Sequence, residues 1–228
     1  MKLIFDIETV GYEFENLDDS QREYLLRYAE KEKDNELRNE KIDQVLRYLN
    51  LYPFTAKICA IGMMNIDTGN SYVLYEGEED EEWKGEEKNV SYKSLPESKL
   101  ISTFWEYTKK ADSVITFNGR NFDIPFLMLR SAILKIKPTR NFIGNRYSNK
   151  SHIDLLEKLT FYGMTKKFNL DFYCRSFGIE SPKSKGVTGM EVNELYRAKR
   201  IKDIAIYCGE DVAATYELYK IWKNYLDI

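Results

Sequence analysis

The six residues Leu3-Ile-Phe-Asp-Ile-Glu8 restrict the possible folds of this chain more than any other stretch. Three apolar residues open a buried strand, and alternate residues of a strand project to the same face. Asp6 and Glu8 therefore stand side by side, with Ile7 pointing the other way. Two anions held together repel, so a fold that keeps them ionised must bring positive charge to that strand end. The pair alone is weak evidence: 37 acids in 228 residues give about six acid-x-acid pairs by chance, the false-positive risk of any short motif. Its place at the exit of an apolar strand, where sheet proteins bind ligands, is what singles it out.

At 228 residues, 43% hydrophobic and 31% charged, the chain reads as one domain spanning residues 1–228 with a proper core. A net charge of -3 excludes a general basic coat but not a local basic patch. Cys59, Cys174 and Cys208 are odd in number, far apart and without C-x-x-C spacing. This argues against a disulfide framework or a cysteine zinc site and fits a reducing, cytoplasmic setting. No basic and apolar leader opens the chain, and no apolar run approaches the roughly 18 residues of a membrane span.

Strands are expected at Lys2–Ile7, Ala56–Asn65, Ser71–Glu76, Ser113–Gly119 and, short, within Ser151–Glu157, the second and third joined as an antiparallel meander. An amphipathic helix is expected from about residue 96 to 110, and helix dominates after residue 157. The pattern predicts an α/β fold: three layers around a mixed five-stranded sheet flanked by helices. Residues 11–53 read as a helical insertion after strand 1, a hairpin or one long helix, opened by a Ser20-x-x-Glu23 capping box. Lid, packing appendage and substrate contact are its candidate roles. The acidic run Tyr75–Asn89 reads as a solvated loop.

Two further constellations carry chemistry. In Thr116–Arg130, TFNGRNFDIPFLMLR, a strand ends in an Asn118-Gly119 turn, and Asp123 stands just before Pro125, a residue suited to a first helical turn. Asp123 is either the cap of that helix or a site residue. In Ile206–Trp222, IYCGEDVAATYELYKIW, Tyr207 and Asp211 lie four apart, on one side of a helix and next to its apolar stripe.

In chain order, FDIET, FNGRNFDIPFL and YCGEDVAAT resemble the three exonuclease motifs of the DEDD superfamily of 3′-5′ exonucleases, which share a ribonuclease H-like fold. The Tyr207/Asp211 spacing matches the tyrosine branch, and the chain is similar to stand-alone relatives of the family B DNA polymerase proofreading domain. The likeness runs from Leu3 to about Tyr219 and includes PFTAKICAIGM and GIESPKSKGVTGMEVNEL. The sole histidine, His152, lies too far ahead of Asp211 to serve the histidine branch.

The resemblance implies a metal-dependent 3′-5′ exonuclease acting on the 3′ end of single-stranded DNA and releasing nucleoside 5′-monophosphates. Asp6 would bridge two ions, Glu8 and Asp211 complete the first, Asp123 reach the second, and Tyr207 orient the attacking water. An all-carboxylate set suits Mg²⁺ or Mn²⁺ over zinc, and two such ions about 4 Å apart clamp the attacking and leaving oxygens. Asn118 and Phe122, with Thr9 of the first motif, match positions that approach the 3′-terminal nucleotide. Lys183 and Lys185 lie in a loop where they would close over phosphate.

From Ile124 to Ile153 there is no acid, while Arg130, Lys135, Lys137, Arg140, Arg146 and Lys150 are present. This segment is either a track for the phosphate backbone, with Phe142 and Tyr147 stacking on bases, or an ordinary solvated stretch. His152 is expected to be structural, and Asp154 to order the second motif or to cap the next helix. An RNA-directed exonuclease, a structure-specific endonuclease and an inactive nucleic-acid-binding module stay as alternatives. Retention of all five motif residues argues against the last. No reader of the 2′-hydroxyl is legible, so DNA over RNA follows the resemblance alone, and a replication or repair partner is left unspecified.

Overall fold

The computed structural model describes residues 1–78, 80–85, 89–180 and 191–227. Strand β1 (Lys2–Gly11) is followed by helices α1 (Asp19–Leu26) and α2 (Asn35–Arg47), then by β2 (Ala56–Asn65), β3 (Asn70–Glu76), β4 (Glu82–Lys84) and β5 (Val90–Leu95). Helix α3 (Glu97–Thr108) leads to β6 (Ser113–Thr116), α4 (Asp123–Ile133) and β7 (His152–Asp154). Helices α5 (Leu155–Leu159), α6 (Leu170–Ser176), α7 (Val192–Arg197) and α8 (Ile201–Tyr225) complete the chain. No described helix is long and apolar enough to cross a membrane.

Together the strands form one mixed sheet in the order β4-β5-β3-β2-β1-β6-β7. β1, β2 and β3 pair antiparallel, whereas β1 with β6, β6 with β7 and β3 with β5 pair parallel. The parity of β1 divides the core. Leu3, Phe5 and Ile7 pack with Leu100, Phe104 and Trp105 of α3 and Leu127 of α4. Ile4 faces the opposite layer, with Val212, Leu218 and Trp222 of α8. The expected three-layer α/β arrangement is present.

Three expectations need correction. Among the described residues the sheet has seven strands where the sequence pattern predicts five, and β4 and β5 are the additions. β4 falls within the run read as a solvated loop, where Trp83 stacks on Tyr92 at 3.9 Å and Lys93 pairs with Asp80 at 3.1 Å. Its charged residues lie at a sheet edge, where charge protects unpaired backbone. The insertion is a hairpin, and its capping box lies two residues earlier than expected. Gln21 N–H donates to Asp18 Oδ1 at 2.8 Å, and Asp18 N–H donates to Gln21 Oε1 at 3.2 Å. Finally, β6 stops at Thr116 and β7 at Asp154, which frees residues 117–122 for the loop that enters α4.

Candidate active site

Because β1 alternates, Asp6 and Glu8 continue the row begun by Ile4 and face α8. Gly62 lies opposite Asp6 on β2. A Cβ there would sit 2.8 Å from Val212 Cγ2 and 3.1 Å from Cys208 Sγ. The glycine thus lets α8 settle closely on the sheet, which brings Tyr207 and Asp211 over the β1 carboxylates. Just past Glu8 the β1/β2 register shifts, and such irregularities re-aim the residues around them.

Asp123 is the first residue of α4, and the N-cap is Phe122, which makes no side-chain capping bond. The Asp123 carboxylate instead accepts Ile7 N–H at 3.1 Å, so the start of α4 is fastened to β1 between Asp6 and Glu8. The loop before it is held from below. Asn118 takes a positive φ of 64°. A Cβ on Gly119 would lie 2.4 Å from Thr116 Oγ1. Asp154 fulfils both of its expected roles: it accepts Asn118 N–H at 3.1 Å and Arg120 N–H at 2.9 Å, and it caps α5 through Leu156 N–H at 3.0 Å. His152 is buried with Nε2 2.8 Å from Thr116 Oγ1, and burial with the nearby Arg120 charge pushes its pKa down to about 3. It is a neutral structural group.

The electrostatics show that the segments converge. Burial, then Asp123, Asp211 and Glu8, push the Asp6 carboxyl well above the usual range. Burial followed by Asp211 and Asp123 does the same to Glu8. Asp123 is pushed up to about 7, chiefly by burial, against the lowering effect of backbone N–H groups that include Ile7. Tyr207 is 5% exposed, and burial with Asp211, Glu8 and Asp6 raises its pKa, so the phenol keeps its proton. Among the described residues no ion pair engages Asp6, Glu8 or Asp123.

This arrangement fits a divalent cation. Ligand atoms of Asp6, Glu8 and Cys208 all lie within 4.8 Å of one another. The Cys208 thiol, raised by burial and by the acids around it, donates toward the Asp6 carbonyl at 3.7 Å. A protonated thiol brings no charge, so the donors are carboxylates and the set favours a hard cation. Cys208 escaped the sequence reading as a wall of the site. Its signal was its place on the apolar stripe, one residue after Tyr207.

Other expected residues are placed as follows. Thr9 is buried and its hydroxyl donates to the Asn50 carbonyl at 2.7 Å, tying the insertion to the end of β1. Asn118 lies in the loop before α4, and Phe122 packs 5.6 Å from Phe126. Lys183 and Lys185 lie outside the described residues. The basic segment is not a continuous track. Arg130 is clasped by Glu97 at 2.7 and 2.8 Å, Arg146 reaches Glu157 at 2.6 Å, and Arg140 donates to the Ala111 carbonyl. Phe142 is fully buried and offers no face to a base. Elsewhere, a cavity of about 760 Å³ in the insertion is lined by Tyr24, Tyr28, Tyr48, Tyr52 and Phe54 and by no carboxylate.

A family model described as a predicted 3′-5′ exonuclease related to the exonuclease domain of PolB matches residues 54–225. The match contains Asp123, Tyr207 and Asp211. Asp6 and Glu8 precede it and reach the same site through the place of β1 in the sheet. Among solved structures, the chain is similar to the family B DNA polymerase from the hyperthermophilic archaeon Pyrobaculum calidifontis. The TM-score is 0.58 at 18% identity, over 97% of this chain and 24% of that one. At this identity the likeness shows the fold, of the ribonuclease H-like type. The chain spans about a quarter of the polymerase's length.

Proposed function

This chain belongs to the family of predicted 3′-5′ exonucleases related to the exonuclease domain of PolB, and from that premise we propose that it hydrolyses single-stranded DNA from the 3′ end with two divalent cations, Mg²⁺ or Mn²⁺. The observation that carries the reading is the convergence of Asp6, Glu8, Asp123 and Asp211 from three distant segments. Their carboxylates repel one another, and among the described residues no ion pair offsets that repulsion at Asp6, Glu8 or Asp123.

Asp6, Glu8 and Asp211 would hold one ion, and Asp6 with Asp123 the other. Such ions, when bound, supply acidification of a water and neutralisation of phosphate charge. The chain's own groups do the rest. Ile7 N–H orients the Asp123 carboxylate. Tyr207 keeps its proton on Oη and acts as an orienting hydrogen-bond group, not a base, since burial and the acids Asp211, Glu8 and Asp6 disfavour the phenolate. Asp154 holds the Asn118–Arg120 backbone, which supports Asn118 and Phe122 as contacts to the terminal nucleotide. In-line attack by water would break the bond to the 3′ oxygen and release a nucleoside 5′-monophosphate.

The test uses single-stranded DNA and RNA labelled at either end, with Mg²⁺, Mn²⁺ or EDTA. A 5′-labelled DNA strand should shorten stepwise with metal and remain whole in EDTA. Cleavage of circular single-stranded DNA, or hydrolysis undiminished in EDTA, would overturn the reading. Comparable digestion of the RNA strand would widen the substrate class.

A further inference from the structure

Residues 158–179 form a second surface that the sequence motifs do not cover. Lys158, Lys166, Lys167 and Arg175 stand there against a single acid, Asp171, in a chain that is acidic overall. Phe161, Met164, Phe172 and Phe177 are exposed on it, Phe172 by 50%. Lys166 and Lys167 are exposed and make no ion pair among the described residues. Here an aromatic face and positive charge occur together, the combination that binds single strands without reading sequence.

The surface is continuous with the candidate active site. Phe172 stacks on Phe168 at 4.1 Å and 8°, Phe168 meets Tyr173 at 6.1 Å, and Tyr173 meets Phe117 edge-on at 5.8 Å. Phe117 immediately precedes Asn118 in the loop that enters α4. On the other side of α6, the buried Cys174 thiol feels the charge of Asp211. An aromatic ladder thus leads from solvent to the loop that enters α4 and its first residue, Asp123.

We propose that the Phe168–Phe172 stack, with Lys166 and Lys167, carries the single-stranded nucleic acid behind its 3′-terminal nucleotide. Bases extend the stack over Phe172, and the two lysines pair with phosphates. The assignment rests on the exonuclease reading for its direction, but strand binding can be measured without hydrolysis.

The experiment compares the full chain with the triple variant Phe172→Ala, Lys166→Ala, Lys167→Ala and with Phe172→Trp. Fluorescence anisotropy reads binding of fluorescent oligothymidylate and oligouridylate of about 20 nucleotides in Ca²⁺, and thermal melts confirm folding. The triple variant should bind at least about tenfold more weakly, and its log–log salt slope should fall by about 1.4, the share of two phosphate contacts on a single strand. Phe172→Trp should retain affinity. Equal loss for both oligonucleotides would fit stacking that ignores the sugar. Unchanged affinity and salt slope in the folded triple variant, or no binding by the parent protein, would overturn the proposal. Loss of binding in the triple variant, in a protein that cuts no strand with Mg²⁺ or Mn²⁺, would support the surface while removing the hydrolytic reading.

Discussion

Glu157 and Glu8 are both buried, at 3% and 8% exposure, but in opposite surroundings. Glu157 lies between two arginines, with Arg120 at 3.0 Å and Arg146 at 2.6 Å. Glu97 is likewise clasped by Arg130, and Asp154 accepts several backbone N–H groups. Around Glu8, among the described residues, the charges that act on it are the acids Asp211 and Asp123. A buried ion whose partner lies in the same chain holds structure together, and removing either partner is strongly destabilising. A buried acid surrounded by acids works against the fold until a cation arrives. The contrast separates carboxylates that serve the scaffold from those that serve a ligand.

The sharpest way to break that contrast is to remove one carboxylate from each set. Asp6→Ala or Asp211→Asn should lower hydrolysis on the order of a thousandfold or more while far-UV circular dichroism stays native. Normal turnover in either would move the site elsewhere. Glu97→Gln should do the reverse: a loss of about 3 kcal/mol in denaturant unfolding, with the specific activity of folded protein largely retained. A stable Glu97→Gln protein would mean that the Arg130 pair contributes little.

Smaller effects sharpen the picture. Tyr207→Phe should slow turnover by about 10 to 100-fold and leave Mn²⁺ affinity, read by titration calorimetry, nearly unchanged. A large loss of affinity would make Tyr207 part of the metal site. The smallest effect concerns pH. In EDTA, folded Asp123 holds its proton up to about pH 7, whereas the ordinary value is 3.8. Its contribution to stability is therefore full below about pH 4 and is lost as pH rises toward 7. Asp123→Asn keeps an oxygen for Ile7 N–H and should gain on the parent protein across that window by about 1 kcal/mol or more. A difference that does not vary with pH would show that Asp123 is not held protonated.

Local pattern made much of this legible. The parity of β1 placed Asp6 and Glu8 on one face, and helical spacing put Tyr207 beside Asp211. What escaped depended on partners distant in sequence. Arg130 looked like a free cation because Glu97, 33 residues earlier, could not be seen to meet it. Phe142 looked available for stacking because its place in the core is set by tertiary packing against Trp105. β4 was hidden because Glu82 and Lys84 flank its only large apolar residue, Trp83, so its strand character depends on pairing with β5. The role of Gly62 appears only when α8 lies across it.

The most direct measurement is anomalous diffraction from crystals soaked in Mn²⁺ with a short single-stranded oligonucleotide. Manganese peaks bounded by the Asp6, Glu8, Asp123 and Asp211 oxygens are expected. Well-ordered carboxylates with no manganese between them, at a concentration that supports hydrolysis in solution, would contradict it.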